Sequence, residues 1–308
     1  MSLPTSPAVR LLESAIDAGT VPGGIISHGR DPEPIARGRL SPRGPGDSDA
    51  PAFPADAIVR IQSMTKAIQA VAALRLVERG VLALDSPVDP WLPEFAAPRV
   101  LPRPDADIDR AVPSPTEITL RHLLTCTSGL GIATAEGPLQ QAMVEAGLEA
   151  GSAPWSLGAD EWLAALGALP LAGEPGRVWR YHHSFSVLGI LLSRVTGSPL
   201  DAHLRALRDG ELLSPEHLAM MTTDQVPSSV KQPDSFYPGF WDGKGWGFGV
   251  CVVTGGEHRG RWGWSGGFGT DFFVDADGTI GLLLAQVEIG EHLMPLLEAF
   301  QDLPTPPG

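Results

Sequence analysis

Apolar positions along this chain follow two rhythms, and the change from one to the other outlines a fold. Residues 8–18 alternate polar and apolar positions at helical spacing, which predicts an amphipathic helix ending at Gly19. "GGIISHG" and "PIARGRL" read instead as two strands joined by the polar turn "RDPEP". A Pro/Gly-rich connection runs from Ser41 to Pro54, "AIVRIQ" reads as a short strand, and a helix follows at once. In that helix Met64, Ile68, Val71, Leu74 and Val77 recur at spacings of three or four, and Gly80 stops it. Proline-rich irregular chain fills 98–115, and "TLRHLLTCTSGL" predicts a short helix running into a turn. Residues 139–207 are mostly helical in pattern, punctuated at "GEPG". After "LLSPEHLAMM" the texture becomes strand-like in "GWGFGVCVV", "HRGRWGW", "GTDFFVDADG" and "TIGLLLAQV", and a last amphipathic helix spans 290–301. Together these predict an α/β fold: an antiparallel sheet built from both termini, flanked by helices, with a mostly helical insertion. The expected division is 1–125 with 210–308 as the α/β domain and 126–209 as the helical region.

Charge and composition narrow what such a fold acts on. The 308 residues carry a formal net charge of -14, a surface that repels phosphate backbones, so no nucleic-acid partner is expected. No apolar run is long enough to cross a bilayer, and the start shows no basic region followed by an apolar one. The expectation is a cytoplasmic protein without a membrane partner; the sequence leaves the oligomeric state open. Cys126 and Cys251 stand alone in apolar stretches, which reads as buried thiols rather than a disulfide framework or a zinc site. No cofactor or metal is expected.

The candidate chemistry begins at Ser63, three residues ahead of Lys66 at the mouth of the helix. Positions i and i+3 share a helix face, so the amine can reach the hydroxyl. A serine is a weak nucleophile until a base takes its proton, and lysine is that base only if its environment depresses its pKa. The plainer alternative is a helix cap beside a solvated charge. Further along, "GEPGRVWRYHHSFSVLGILLSRVTG" delivers Tyr181 from a turn to the start of a helix, placed to shuttle protons if a cation lies near. The adjacent His182 and His183 point different ways and lack companions at metal-ligand spacing. Gly263-Trp264-Ser265-Gly266-Gly267 matches G-x-S-x-G, but the strand-like "GTDFFVD" follows where a nucleophile elbow needs a helix. The glycines serve better as close-approaching backbone: an N–H here, with that of Ser63, makes an oxyanion hole, and Trp264 walls the pocket.

Taken in order, these segments resemble the serine β-lactamase-like superfamily, closest to its class C branch and the carboxylesterases sharing that fold. "RIQSMTKAIQAVAALRLVERGVLALDSPV" resembles the nucleophile helix. "EITLRHLLTCTSGL" is similar to a segment where histidine usually takes the place of Cys126. "WRYHHSFSVLGILLSRVTG" resembles the tyrosine motif, and "WGWSGGFGT" sits where the third motif belongs. The resemblance implies Ser63 as nucleophile, Lys66 as its base and Tyr181 as proton shuttle. It puts Trp264-Ser265-Gly266 in place of the lactamase K-T-G, with the Gly267 and Ser63 N–H groups in the oxyanion hole and His183, Trp264, Ser265 and Gly266 lining the substrate pocket. An alternative register places Arg261-Trp262-Gly263 there.

Three departures shape the expected substrate. His183 stands where the tyrosine motif usually has asparagine, and the third motif lacks its lysine. Both losses favour a small uncharged ester, hydrolysed through an acyl-enzyme, over a β-lactam or a D,D-peptide; acyl transfer, or a binding role on the same scaffold, are the alternatives. The third is length: near 200–213 the chain is several dozen residues shorter than the family's usual pattern.

Overall fold

The structure, a computed structural model, describes residues 6–41, 43–132, 137–151, 154–198, 213–233 and 235–304. In chain order its elements are α1 (Pro7–Asp17), β1 (Gly23–Gly29), β2 (Ile35–Gly38), α2 (Thr65–Glu78), β3 (Arg99–Val100), β4 (Val112–Pro113), α3 (Leu120–Leu124), α4 (Pro138–Glu145), α5 (Ala159–Ala168) and α6 (His183–Thr196). Then come α7 (Pro215–Met221), β5 (Lys244–Trp246), β6 (Cys251–Val253), β7 (Trp262–Gly266), β8 (Thr270–Val274), β9 (Ile280–Leu284) and α8 (Met294–Gln301). They pack as two compact units, Met1–Thr65 with Gly255–Gly308, and Lys66–Thr254. The seam near 200–213 falls almost wholly outside the described residues.

In the first unit, strands of an antiparallel sheet run in the order β2-β1-β9-β8-β7, so both chain ends contribute. β1 joins them: Ile26 pairs with Ile35 on one side and with Leu283 on the other. Side chains alternate across a strand, and here the two faces have separate cores. Ile26, Phe273 and Leu283 pack with Val9 and Leu12 of α1 and Leu297 and Phe300 of α8. Ile25 and Leu284 face the other way and pack with Phe53 and Met64, joined by Ile61, Phe272 and Leu282. α1 starts where Ser6 accepts from the Val9 N–H at 3.3 Å and Pro7 takes the first helical position, an N-cap followed by a residue with no amide to lose.

The second unit is helical with a small hairpin, β5–β6, in which Lys244 pairs with Val253. Thr119 caps α3 reciprocally: its hydroxyl accepts from the His122 N–H at 3.3 Å, and the His122 ring accepts from the Thr119 N–H at 3.2 Å. α2 departs from its apolar stripe. Ile68 is exposed and Val71 half-buried, while Lys66, Gln69, Ala70 and Ala73 are buried. Small alanines allow close approach, and Gly249 uses it. A Cβ there would lie 2.7 Å from the Lys66 carbonyl, and its φ is +75°, so glycine is needed twice over.

Candidate active site

Ser63 sits in a single 3-10 turn, Gln62–Met64, that runs straight into α2. The strand expected over "AIVRIQ" is absent, and the reason lies 226 residues away in the sequence. The Gln286 side chain accepts from the Arg60 N–H at 2.9 Å and donates to the Arg60 carbonyl at 3.1 Å, standing in for a neighbouring strand. The Ile61 carbonyl accepts from Thr270 Oγ1 and from the Met64 N–H, both at 3.1 Å. Gln62 then turns through the left-handed region with φ +48°.

β7 lies against this segment. A Cβ on Gly266 would stand 2.2 Å from the Ile61 carbonyl oxygen and 2.2 Å from Thr270 Oγ1, so only glycine fits. Gly267 follows, with Gln62 Cγ the nearest atom to its own missing Cβ at 4.0 Å and its carbonyl accepting from the Ile289 N–H at 2.8 Å. Gly267 thus lies beside Gln62, the residue before Ser63. β7 leads through a turn into β8, not into a helix, so the nucleophile-elbow context is missing, as the sequence suggested. Arg261, which opens the alternative register, is buried and clasped by Asp275 at 2.6 and 2.9 Å.

Ser265 needs correction. It pairs directly with Asp271, and cross-strand partners share a face. Asp271 lies on the side of Phe273, under the helices, so the Ser265 hydroxyl points into that layer and only its backbone borders the Ser63 side. Trp264 pairs with Phe272 and stands on the Ser63 face.

The second unit brings Lys66, Tyr181 and Cys126 together. Lys66 is 6 % exposed, and burial brings its ammonium down from 10.5 to about 8, with the neighbouring Cys126 opposing the shift. Its Nζ stands 4.6 Å from the Tyr181 ring centroid and 5.9 Å from that of Phe185. Tyr181 is held by its backbone, its carbonyl accepting from the Ile132 N–H at 2.9 Å, while its ring packs on Phe236 at 4.8 Å. Cys126 is fully buried, its thiol pushed up to about 12 and therefore neutral. His182, at φ +95°, is pushed down to about 3 by burial and by the Lys66 and His183 charges, so it is neutral too.

His183 is the second correction. Its ring has no exposed surface, its Nε2 is 2.7 Å from the Leu148 carbonyl, and it stacks on Trp162 at 6.0 Å and 6°. A ring so placed packs the helical core and offers a ligand nothing. Cys126 and Gln286 were not among the expected site residues. The cysteine had a signal, standing where related chains carry histidine, whereas Gln286 had none.

The family model described as Beta-lactamase matches residues 9–207. Esterase EstB of Burkholderia gladioli is 39% identical over 188 residues, covering 58% of this chain and 45% of that protein. Acyltransferase calJ of Penicillium decumbens is 37% identical over 142 residues, covering 46% of this chain and 32% of that one. Less than half of either relative's length is therefore matched. Among solved structures, EstCE1, a hydrolase with promiscuous acyltransferase activity, superposes with a TM-score of 0.73 at 21% identity, covering 94% of this chain and 96% of that one.

Proposed function

The chain belongs to the beta-lactamase family, and from that premise we propose that it is a serine carboxylesterase working through an acyl-enzyme on Ser63. The observation that carries this is Lys66: an amine three residues from the serine, brought by burial to about 8, is partly a free base near neutral pH. A surface lysine would not be.

The neutral Lys66 Nζ takes the Ser63 hydroxyl proton as Oγ bonds to the acyl carbon. The carbonyl oxygen gains the displaced electron pair and is met by the backbone N–H groups of Ser63 and Gly267. Collapse breaks the bond to the alcohol oxygen, which takes a proton from the Lys66 ammonium through the Tyr181 hydroxyl. Water, deprotonated by the same pair, then attacks the acyl carbon and frees Ser63. Hydroxyls and amines can take the place of water, giving acyl transfer, a second reading favoured by the likeness to calJ.

Small uncharged esters suit the site because Trp264-Ser265-Gly266 lacks the lysine of the third motif that would grip a carboxylate, and Trp264 supplies an apolar wall. Turnover of p-nitrophenyl butyrate tests this. Replacing Ser63→Ala should lower kcat/KM by about 10⁴-fold or more, and persistent turnover in that variant would refute the assignment. Faster loss of the acyl group on adding a simple alcohol would mark transfer.

A further inference from the structure

A carboxyl group is buried in the first unit where the reaction above has no use for it. β8 carries Asp271 between Thr270 and Phe272, and Asp271 is 1 % exposed. It faces the layer of Phe273, under α1 and α8. α1 turns Ala8, Val9, Leu12 and Ala15 inward, and α8 turns Leu296, Leu297 and Phe300. A carboxylate in such company is costly unless every lone pair is met. Oδ2 accepts from Gln301 Nε2 at 2.9 Å, and Ser265 across the ladder and the Phe272 N–H also hydrogen-bond to the carboxyl, but Oδ1 has no partner.

Arg261 is the cation facing it, yet its guanidinium is committed elsewhere. Nε and Nη2 bind Asp275, Nη1 donates to the Gln301 carbonyl, Nη2 also meets His258 Nδ1, and the plane stacks 3.9 Å from the Phe273 centroid. His28 of β1 packs edge-on against the same Phe273, and burial, more than the nearby Arg261, lowers its pKa against the pull of Asp275 and Asp277. Among the described residues of this layer none is a dedicated counter-charge for Asp271, since Arg261 is already neutralised by Asp275.

We propose that Asp271 is a positioning residue for the oxyanion strand, holding Ser265 and through it the Gly266–Gly267 turn against the Ser63 segment. The inference rests on the esterase reading. The linkage is short: Ser265 pairs with Asp271 and Gly266 with Thr270, and Thr270 Oγ1 holds the Ile61 carbonyl two residues before Ser63. Burial lifts the Asp271 carboxyl to about 7, against the bonds from Gln301 and Ser265 that lower it. The neutral acid can sit dry beneath β7. Once ionised, its unpartnered oxygen demands water, the end of β7 loosens, and the Gly267 N–H leaves its place. Lys66 works in the opposite sense, since it accepts a proton only once neutral.

The test is the pH dependence of kcat/KM for p-nitrophenyl butyrate and of fluorophosphonate labelling, in the intact protein and in Asp271→Asn. Asparagine keeps the shape and the acceptor for Gln301 but cannot ionise. The intact protein should give a bell, rising with Lys66 and falling with Asp271. Asp271→Asn should lose the falling limb and exceed the intact protein by about a hundredfold at about pH 9, one decade per unit above the lost ionisation at about 7. Ser265→Ala, which cuts the link and spares the carboxyl, should lower kcat about tenfold with KM unchanged. Superposable profiles for the intact protein and Asp271→Asn, with labelling intact, overturn this proposal alone. No turnover and no label in any of these proteins overturns the esterase reading, and the proposal with it. If Asp271→Asn does not fold, the Ser265→Ala split between kcat and KM decides.

Discussion

Ser63 and Lys66 are three residues apart, yet the surroundings that prepare them differ in kind. The Ser63 segment is fixed by polar contacts at nearly every step: Gln286 on both backbone groups of Arg60, Thr270 on the Ile61 carbonyl, and glycine-only contact with Gly266. Lys66 sits instead among Tyr181, Phe185 and Cys126, aromatic and thiol neighbours that withhold solvent. Geometry prepares the first group and desolvation the second. On the proposed reading, a nucleophile needs its attack line held to fractions of an ångström, whereas a base needs its proton affinity lowered, and burial among apolar groups lowers it.

The sharpest way to break this contrast is to remove Lys66, the proposed base. Lys66→Met should lower kcat/KM by about 10³-fold or more, because base and nucleophile act as one unit. The same change should stabilise the fold. Burying the ammonium costs stability wherever lysine is protonated in the unfolded chain but resists protonation when folded. That cost is complete below about 8, shrinks as pH rises from 8 to 10.5, and is absent above. Lys66→Met should therefore gain about 3 kcal/mol near pH 7 and nothing above about pH 10.5, read by thermal unfolding across that range. A destabilised variant would mean Lys66 is a well-satisfied structural cation.

Tyr181→Phe comes next, with an expected loss of about 10²-fold in kcat and little change in the far-ultraviolet spectrum, since the ring stays packed on Phe236. An unaffected kcat would remove Tyr181 from the proton path. The smallest effect is expected on the geometric side. Gly266→Ala forces a methyl against the Ile61 carbonyl, which should cost about ten- to a hundredfold in kcat and about 1–3 kcal/mol in stability. If Gly266→Ala leaves kcat intact, the polar fixing of the Ser63 segment is not what prepares the nucleophile.

Much of this arrangement was legible in the sequence because local rules governed it. "GGIISHG" forms β1 as written, and Gly80 ends α2 with φ +69°. Legibility failed where distant residues supplied the forces. "AIVRIQ" has strand composition, but its partner is one side chain, Gln286, and not a strand. In "GTDFFVD" two adjacent phenylalanines hide the alternation, so nothing local says that Asp271 and Ser265 turn under the helices. His183 read as a pocket residue because its position in the tyrosine motif suggested contact with substrate; the Leu148 carbonyl and Trp162 take it inward. The stripe on α2 failed for a different reason, since a helix buried on most sides has no single inward face.

The central claim is that Ser63 carries the acyl group and Lys66, as a free base, makes it do so. The most direct measurement is the rate of fluorophosphonate labelling against pH, with the adduct located by peptide mass. The account predicts one adduct, on the peptide containing Ser63, forming faster as pH rises toward about 7, where Lys66, brought by burial to about 8, is losing its proton and Asp271 is not yet ionised. An adduct on Ser265 or elsewhere, or labelling of Ser63 at a rate that ignores pH across that range, would contradict it.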